Sequence, residues 1–143
     1  MSASSERVTT SGPAETEEVG ARLAAQLAPG DVVLISGEVG SGKTTLVRGA
    51  GRALGVTSAI VSPTFTIGRR YDEGRVPVSH LDLYRLGGLE QEDPALLADY
   101  LAPDRVAFVE WPEHAEATIR GVTVRVALAH AGGDTRVIEV VRL

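Results

Sequence analysis

The chain has 143 residues, of which 43% are apolar, and a formal net charge of −5 at pH 7. Its length and apolar share are typical of one globular domain with a modest core, and its lack of cysteine excludes disulfides, thiolate metal sites and a cysteine nucleophile. The negative charge gives no general attraction to nucleic acid, no apolar run is long enough to span a membrane, and the polar N-terminus is unlike a secretory signal.

The predicted elements alternate between strands and helices along the chain. Residues 1–6 are expected to be disordered and residues 7–143 to form a single domain. The elements expected in chain order are a strand at 7–10, a helix from 11–13 to the stop signal at 29–30, a strand at 31–36, a helix at 43–54, extended segments at 58–61, 64–71 and 76–83, a helix at 94–101, and strands at 106–110, 122–128 and 136–142.

These elements predict an α/β fold with a mostly parallel central sheet and antiparallel additions. The nearly continuous apolar run at 31–36 is typical of a parallel strand that is buried on both faces. Turn residues at 72–74 and 132–134 predict two antiparallel hairpins. In such sheets ligands bind beyond the carboxyl ends of the strands, so the loops after residues 36, 61, 81 and 109 are expected to surround one site.

Residues 37–44, GEVGSGKT, match the phosphate-binding pattern G-x-x-x-x-G-K-[ST]. The pattern follows an apolar strand and precedes a helix, as a P-loop NTPase-like three-layer fold requires, which disfavours the alternative of a glycine-rich surface turn. Lys43, the only lysine of the chain, would contact the β- and γ-phosphates, Thr44 would ligate Mg²⁺, and Thr45 would face the α-phosphate. The residues expected to contact the nucleotide here are Glu38, Val39, Gly40, Ser41, Gly42, Lys43, Thr44 and Thr45.

Two carboxylates are expected beside this loop, where a triphosphate site needs acids for the metal and the attacking group. Glu110 ends the predicted strand 106–110, and Asp82 follows another strand. One would ligate Mg²⁺ directly, and the other would act through water or as the base for the attacking water. The order of the two roles stays open, and so do the alternatives of a strand-end carboxylate for Glu110 and an ion pair with Arg85 for Asp82.

Three further features near the strand ends have two interpretations each. Trp111 is either a core residue or a wall of the nucleotide site. The hydroxyl-rich segment 62–66, SPTFT, is either an ordinary turn or a switch-like loop in which Thr64 or Thr66 senses the γ-phosphate. For His80, a packed strand-end histidine is favoured over a proton carrier.

Four motifs occur in order: GEVGSGKTT at 37–45, SPTFT at 62–66, HLDLYRL at 80–86 and VEWP at 109–112. Together they resemble the TsaE (YjeE) family, a small bacterial ATPase of tRNA threonylcarbamoyladenosine synthesis, over about residues 11–128. The resemblance implies weak ATPase activity and binding to the TsaB–TsaD pair, which installs threonylcarbamoyl on adenosine 37 of tRNAs that read ANN codons.

Motif matching to the family implies roles for individual residues. Lys43 and Thr44 would contact the phosphates and Mg²⁺, Glu110 would be the acid at the metal, and Asp82 the family's other acid. Trp111 matches the tryptophan that follows the strand, and it is expected among the nucleotide contacts. The segment 10–14 would lie by the adenine. The chain departs from the family where Arg69 and Arg70 stand in place of a common acidic residue, and the role of these arginines stays open.

Three functions follow from these observations. The favoured one is a cytoplasmic ATPase subunit that uses ATP and Mg²⁺ and acts on a TsaB–TsaD-type complex, reaching tRNA only through that complex. A nucleotide-sensing scaffold would differ only in that hydrolysis does not matter. A small-molecule kinase would need an arginine-bearing lid, and the sequence from Leu86 to Tyr100 contains no arginine. The absence of a guanine-reading N/TKxD motif favours adenine.

Overall fold

The computed structural model describes residues 4–62, 67–83, 94–111 and 119–143. Its elements are β1 (Ser4–Thr10), α1 (Pro13–Ala24), β2 (Val32–Gly37), α2 (Lys43–Ala53), β3 (Gly68–Tyr71), β4 (Val78–Asp82), α3 (Pro94–Tyr100), β5 (Val106–Glu110), β6 (Val122–His130) and β7 (Arg136–Arg142). The strands pair in one sheet in the order β1-β7-β6-β2-β5-β4-β3. Within the described ranges, no helix is long and apolar enough to cross a membrane.

The sheet has a parallel centre and antiparallel edges. Strand β2 pairs in parallel with both β5 and β6, and β4 pairs in parallel with β5. The hairpins β3–β4 and β6–β7 are antiparallel, as is the pair β1–β7. The predicted α/β class with a mixed sheet is therefore confirmed, and the carboxyl ends of β2, β4 and β5 meet at one edge.

Helices cover both faces of the sheet because successive strand residues point to opposite sides. Val33 and Ile35 of β2 belong to the core that contains residues of α1 and α2, whereas Val32 and Leu34 belong to the core under α3. Each such buried aliphatic side chain contributes about 1.5–3 kcal/mol relative to its exposure in water. The expected three layers are thus formed by alternation within the central strands.

Helices α1 and α2 approach each other closely through two glycines. A Cβ added to Gly20 would meet the Leu46 carbonyl oxygen at 2.1 Å, and one added to Gly49 would meet the Glu17 carbonyl oxygen at 2.0 Å. Real Cβ atoms do not tolerate such distances, so both positions require glycine. This contact fixes the direction of α2 and hence the position of its N-terminus.

Two sequence-based expectations about strands are wrong. The disorder expected for residues 1–6 does not hold for Ser4–Glu6, because they lie in β1 and pair with residues 140–142 of β7. The sequence did not predict this part of the strand because its side chains are polar. The strand forms through backbone pairing at the edge of the sheet, which leaves no apolar pattern in the sequence. The strand expected at 58–61 is absent, and at its first residue the backbone N–H of Ser58 donates to the Glu73 carboxylate and not to a strand. Of the expected strand 64–71, Gly68–Tyr71 is β3, and 64–66 lie outside the described residues.

Glu73 joins the β3–β4 hairpin to the segment after α2. Its Oε2 accepts from Thr57 N at 3.2 Å, from Ser58 N at 2.9 Å and from the Ser58 hydroxyl at 2.5 Å. The hydroxyl bond and the Ser58 backbone bond lower the pKa of Glu73 from 4.5 to about 2. Because the folded-state pKa is depressed, this carboxylate stabilises the fold above pH 4.5 and loses that effect as the pH falls towards 2.

We predict that Glu73→Gln removes one component of the acid sensitivity of the fold. The free energy of unfolding of the native chain should fall more steeply between about pH 5 and pH 2 than that of the variant, measured by denaturant titration at each pH. Ser58→Ala should raise the pKa of Glu73 towards its ordinary value in an NMR titration. Parallel stability curves for the native chain and Glu73→Gln over this range would contradict the role of Glu73.

Candidate functional site

The loop between β2 and α2 follows a path that its glycines make possible. Gly37, Gly40 and Gly42 have φ values of 151°, 77° and 103°, in the region that favours glycine. A Cβ at Gly37 would lie 2.5 Å from the Ser41 hydroxyl and 2.7 Å from the Leu128 carbonyl oxygen. The loop leads into the N-terminus of α2, which has no side-chain capping bond. Such a helix start, with its backbone N–H groups and positive dipole end, suits an anion.

Lys43, the first residue of α2, is buried, with 5% of its surface exposed. Its Nζ donates to the carbonyl oxygens of Gly37 at 2.6 Å and Glu38 at 2.9 Å, and it lies 4.0 Å from the centroid of the Trp111 ring. A buried ammonium is costly unless other groups replace its water. Loop carbonyls and an aromatic face do so here.

Three side-chain oxygens meet at the start of α2. The Thr44 hydroxyl donates to Glu110 Oε2 at 2.8 Å, and Ser62 Oγ lies 2.7 Å from Thr44 Oγ1. Since Thr44 has one hydroxyl proton and gives it to the carboxylate, Ser62 is the donor in the second bond. Glu110 is 2% exposed and ends β5. A set of hydroxyl and carboxylate oxygens is the kind of ligand set that Mg²⁺ prefers.

Asp82 lies at the same edge of the sheet as Glu110. It ends β4, and the parallel register places it directly opposite Glu110. The structure therefore brings together the two acids that the sequence predicts. Among the described residues, no group of three or more histidines, aspartates and glutamates is placed to hold a metal. Protein sites for Mg²⁺ commonly use one or two carboxylates, with waters and phosphates as the other ligands.

His80 contacts the same carboxylate, and sequence analysis did not predict this contact. It is fully buried, and its Nε2 lies 2.5 Å from Glu110 Oε2. The favoured interpretation was a packed histidine, and it is packed. The missed signal was its spacing from Asp82: residues two apart on a strand share a face, so His80 points to the side of the sheet that carries both acids.

Trp111 forms a wall of the site and also contacts the core. Its ring covers Lys43, and it packs against the core under α3. Its φ of 58° is the only positive φ of a non-glycine residue in the described ranges. A bulky residue in this region costs about 1–3 kcal/mol, and such strain clusters at ligand sites.

A cavity of about 360 Å³ lies among these groups. The residues that line it are Val39, Gly40, Gly42, Lys43, Thr44, Thr45, Ser62, Asp82, Glu110 and Trp111. Two predicted contacts do not line the cavity. Glu38 contributes its carbonyl oxygen to Lys43, and Ser41 is fully buried behind the loop. Ser62 lines the cavity without having been proposed as a contact.

The β6–β7 hairpin supports the loop from outside. Arg136 donates to the Gly40 carbonyl oxygen at 3.1 Å, and His130 Nε2 lies 3.3 Å from the Val39 carbonyl oxygen. On another side, Thr16 of α1 packs near Gly42, and its hydroxyl lies 2.9 Å from that of Thr10. The segment 10–14, expected near the adenine, is thereby tied to the phosphate-binding loop.

The remaining sequence-based site residues lie apart or outside the description. Arg69 and Arg70 are exposed on β3, where the Arg70 guanidinium lies 5.6 Å from the Tyr100 ring centroid. Thr64 and Thr66, proposed as γ-phosphate sensors, lie outside the described residues. Within the segment 62–66 the structure describes Ser62, which lines the cavity.

We predict that Thr44→Val lowers the free energy of unfolding by about 1–3 kcal/mol without any ligand present, because buried Glu110 loses a hydrogen-bond donor. Thr45→Val is the matched control, since the neighbouring hydroxyl makes no contact with Glu110, and its effect should be smaller. Denaturant titrations measure both. Equal unfolding midpoints for the two variants would contradict the role of the Thr44 hydroxyl.

Comparison with known proteins points to one family. The family model described as "Threonylcarbamoyl adenosine biosynthesis protein TsaE" matches residues 10–138. Curated proteins named "tRNA threonylcarbamoyladenosine biosynthesis protein TsaE" are similar: that of Synechocystis is 47% identical over 68% of this chain and 64% of its own length. That of Bacillus subtilis is 37% identical over 90% of this chain and 80% of its own. The crystal structure of Bacillus subtilis YdiB has a TM-score of 0.82 at 30% identity and covers 99% of this chain and 88% of that one.

Proposed function

Because this chain belongs to the TsaE family of tRNA threonylcarbamoyladenosine biosynthesis proteins, we propose that it binds ATP with Mg²⁺ and hydrolyses it slowly. In this role it supports threonylcarbamoylation of adenosine 37 in tRNAs that read ANN codons. Use of ATP and tRNA corresponds to a cytoplasmic location.

One observation carries the proposal: a buried lysine, a threonine hydroxyl and two acids surround one cavity beside a glycine loop. The loop opens onto the start of α2, where phosphate oxygens would meet backbone N–H groups and the ammonium of Lys43. Lys43 would exchange its bonds with the carbonyls of Gly37 and Glu38 for phosphate oxygens. Trp111, whose ring covers Lys43, would border the same phosphates.

The donor set fits a hard divalent cation. Thr44 and Glu110 are already in hydrogen-bond contact at 2.8 Å, so they would hold Mg²⁺ directly, and Asp82 would act through water. Bound Mg²⁺ would supply charge neutralisation for the phosphates. The chain's own residues bind the phosphates through Lys43, orient the Glu110 carboxylate, and place Asp82 to accept a proton from the attacking water.

The partner proposed is a TsaB–TsaD-type protein complex. The net charge of −5 does not favour direct binding to tRNA. We therefore expect that complex, and not this chain, to bind the tRNA. Among the described residues, the cavity wall contains one cation, Lys43, and no arginine. The described residues therefore do not support a kinase that closes an arginine-bearing lid over its phosphates.

A nucleotide-sensing scaffold with negligible turnover is the second candidate. In the ligand-free chain, the Lys43 ammonium is held by two carbonyls and an indole ring, and the Thr44 hydroxyl by Glu110. These contacts must be exchanged when phosphate and metal bind, so the site begins in a closed arrangement. Such a site favours slow ATP turnover. In the scaffold alternative, ATP is bound but its hydrolysis has no role in the function.

We predict that Lys43→Ala weakens ATP binding by about 30-fold or more, because the phosphates lose a buried cation. Calorimetric titration with a hydrolysis-resistant ATP analogue measures the affinity. Arg52→Ala is the control, since it removes an exposed cation from the other end of the same helix. Wild-type affinity for Lys43→Ala would place the nucleotide elsewhere.

For Glu110→Gln we predict a fall in Mg²⁺-dependent turnover of about 100-fold or more, with a smaller change in nucleotide affinity, because the amide replaces a carboxylate metal ligand. Steady-state phosphate release at saturating Mg²⁺ measures the turnover. Turnover equal to that of the native chain would remove Glu110 from the mechanism.

ATP turnover in the presence of the partners tests the proposed function as a whole. We expect the rate of phosphate release to rise when a TsaB–TsaD-type pair and tRNA are added together. Lys43→Ala is the control for contaminating ATPase activity. A slow rate that the partners leave unchanged, while nucleotide still controls their association, would favour the scaffold. Transfer of phosphate to a metabolite would establish a kinase.

A further inference from the structure

His80 and Glu110 form a buried pair between two central strands. His80 is fully buried and Glu110 is 2% exposed, and the two side chains meet at 2.5 Å. A carboxylate accepts but does not donate hydrogen bonds, so Nε2 of the imidazole carries the proton. Such a contact between adjacent strands is rigid because both ends are fixed by the sheet.

Two donors meet the same oxygen of Glu110. The His80 Nε2–H and the Thr44 hydroxyl both contact Oε2, and neither contact uses Oε1. Thr44 is also the residue proposed to turn its oxygen to Mg²⁺, whereas His80 does not line the cavity. The bond from His80 therefore holds Oε2 whatever Thr44 contacts, and Oε1 takes part in neither of these two bonds.

His80 is expensive to keep at this position. Within the described part of the chain, its buried Nδ1 has no hydrogen-bond partner, and an unsatisfied buried polar atom costs about 1–3 kcal/mol. An apolar residue of similar size would remove that cost. An apolar side chain, however, could not donate the hydrogen bond that His80 gives to Glu110.

We propose that His80 is a positioning residue for the metal ligand Glu110: its Nε2–H fixes Oε2, so that Oε1 is presented to the cation of a bound nucleotide. The inference rests on the proposed function, since it assumes that a nucleotide and Mg²⁺ occupy the cavity. Histidine, acting behind the ligand, would orient the carboxylate in the way that outer hydrogen bonds orient ligands at metal sites in general.

A pair of amide variants tests the proposal. In His80→Gln the amide nitrogen reaches the position of Nε2, whereas in His80→Asn the shorter side chain does not reach Glu110. The affinity for a hydrolysis-resistant ATP analogue is measured with Mg²⁺ and with EDTA. We expect His80→Asn to lose about 10–100-fold of the Mg²⁺-dependent gain in affinity, to keep its affinity in EDTA, and His80→Gln to retain the gain.

Ser79→Ala is the matched control on the same strand. It removes a buried hydrogen bond from Arg105 at 2.8 Å on the opposite face of the sheet, so it should lower thermal stability and leave the Mg²⁺-dependent gain unchanged. The proposal is overturned if His80→Asn keeps the gain, if His80→Gln loses it equally, or if His80→Asn weakens binding to the same extent in EDTA. A native chain without any Mg²⁺-dependent gain would overturn the proposed function and the inference with it.

Discussion

The structure depends on satisfying one buried carboxylate at the end of a central strand. Glu110 lies among apolar β-strands with 2% of its surface exposed, where an unpaired charge would be strongly unfavourable. Donors from two other elements solve this problem: Thr44 from α2 and His80 from β4. Their convergence joins the helix and both strands at the edge of the sheet where the cavity lies. Stability and the proposed function would impose opposite demands on Glu110, because a carboxylate already bonded to protein donors would also have to bind a cation.

A similar conflict governs Lys43. Its ammonium is satisfied by its own loop and by Trp111 in the ligand-free chain. Under the proposed function, binding of a triphosphate would exchange these contacts for phosphate oxygens. The affinity would then be a difference between two states in which the same cation has close polar partners. Trp111 carries backbone strain while it covers the lysine. The ligand-free arrangement of Lys43 therefore differs from the arrangement that the proposed ATP binding would require.

Short sequence patterns predicted the parts of this site that are formed by consecutive residues. The glycine loop, the helix after it and the strand that ends at Glu110 each follow from a few consecutive residues, and the register of β4 with β5 places Asp82 beside Glu110. Features set by distant pairing were not predictable. The polar strand β1 exists because its backbone pairs with β7. At the start of the irregular segment 58–61, Ser58 donates its N–H to Glu73, fifteen residues away. The contact between His80 and Glu110 depends on the pairing of β4 with β5, which are distant in the sequence.

The most direct test of the central claim is a crystal structure of the chain with Mg²⁺ and a hydrolysis-resistant ATP analogue. The account predicts that the triphosphate lies on the 37–44 loop, that Nζ of Lys43 has moved from the carbonyls of Gly37 and Glu38 to phosphate oxygens, and that Thr44 and Glu110 lie at the cation. Nucleotide bound outside this cavity, or a bound state in which Lys43 keeps both carbonyl contacts, would contradict it.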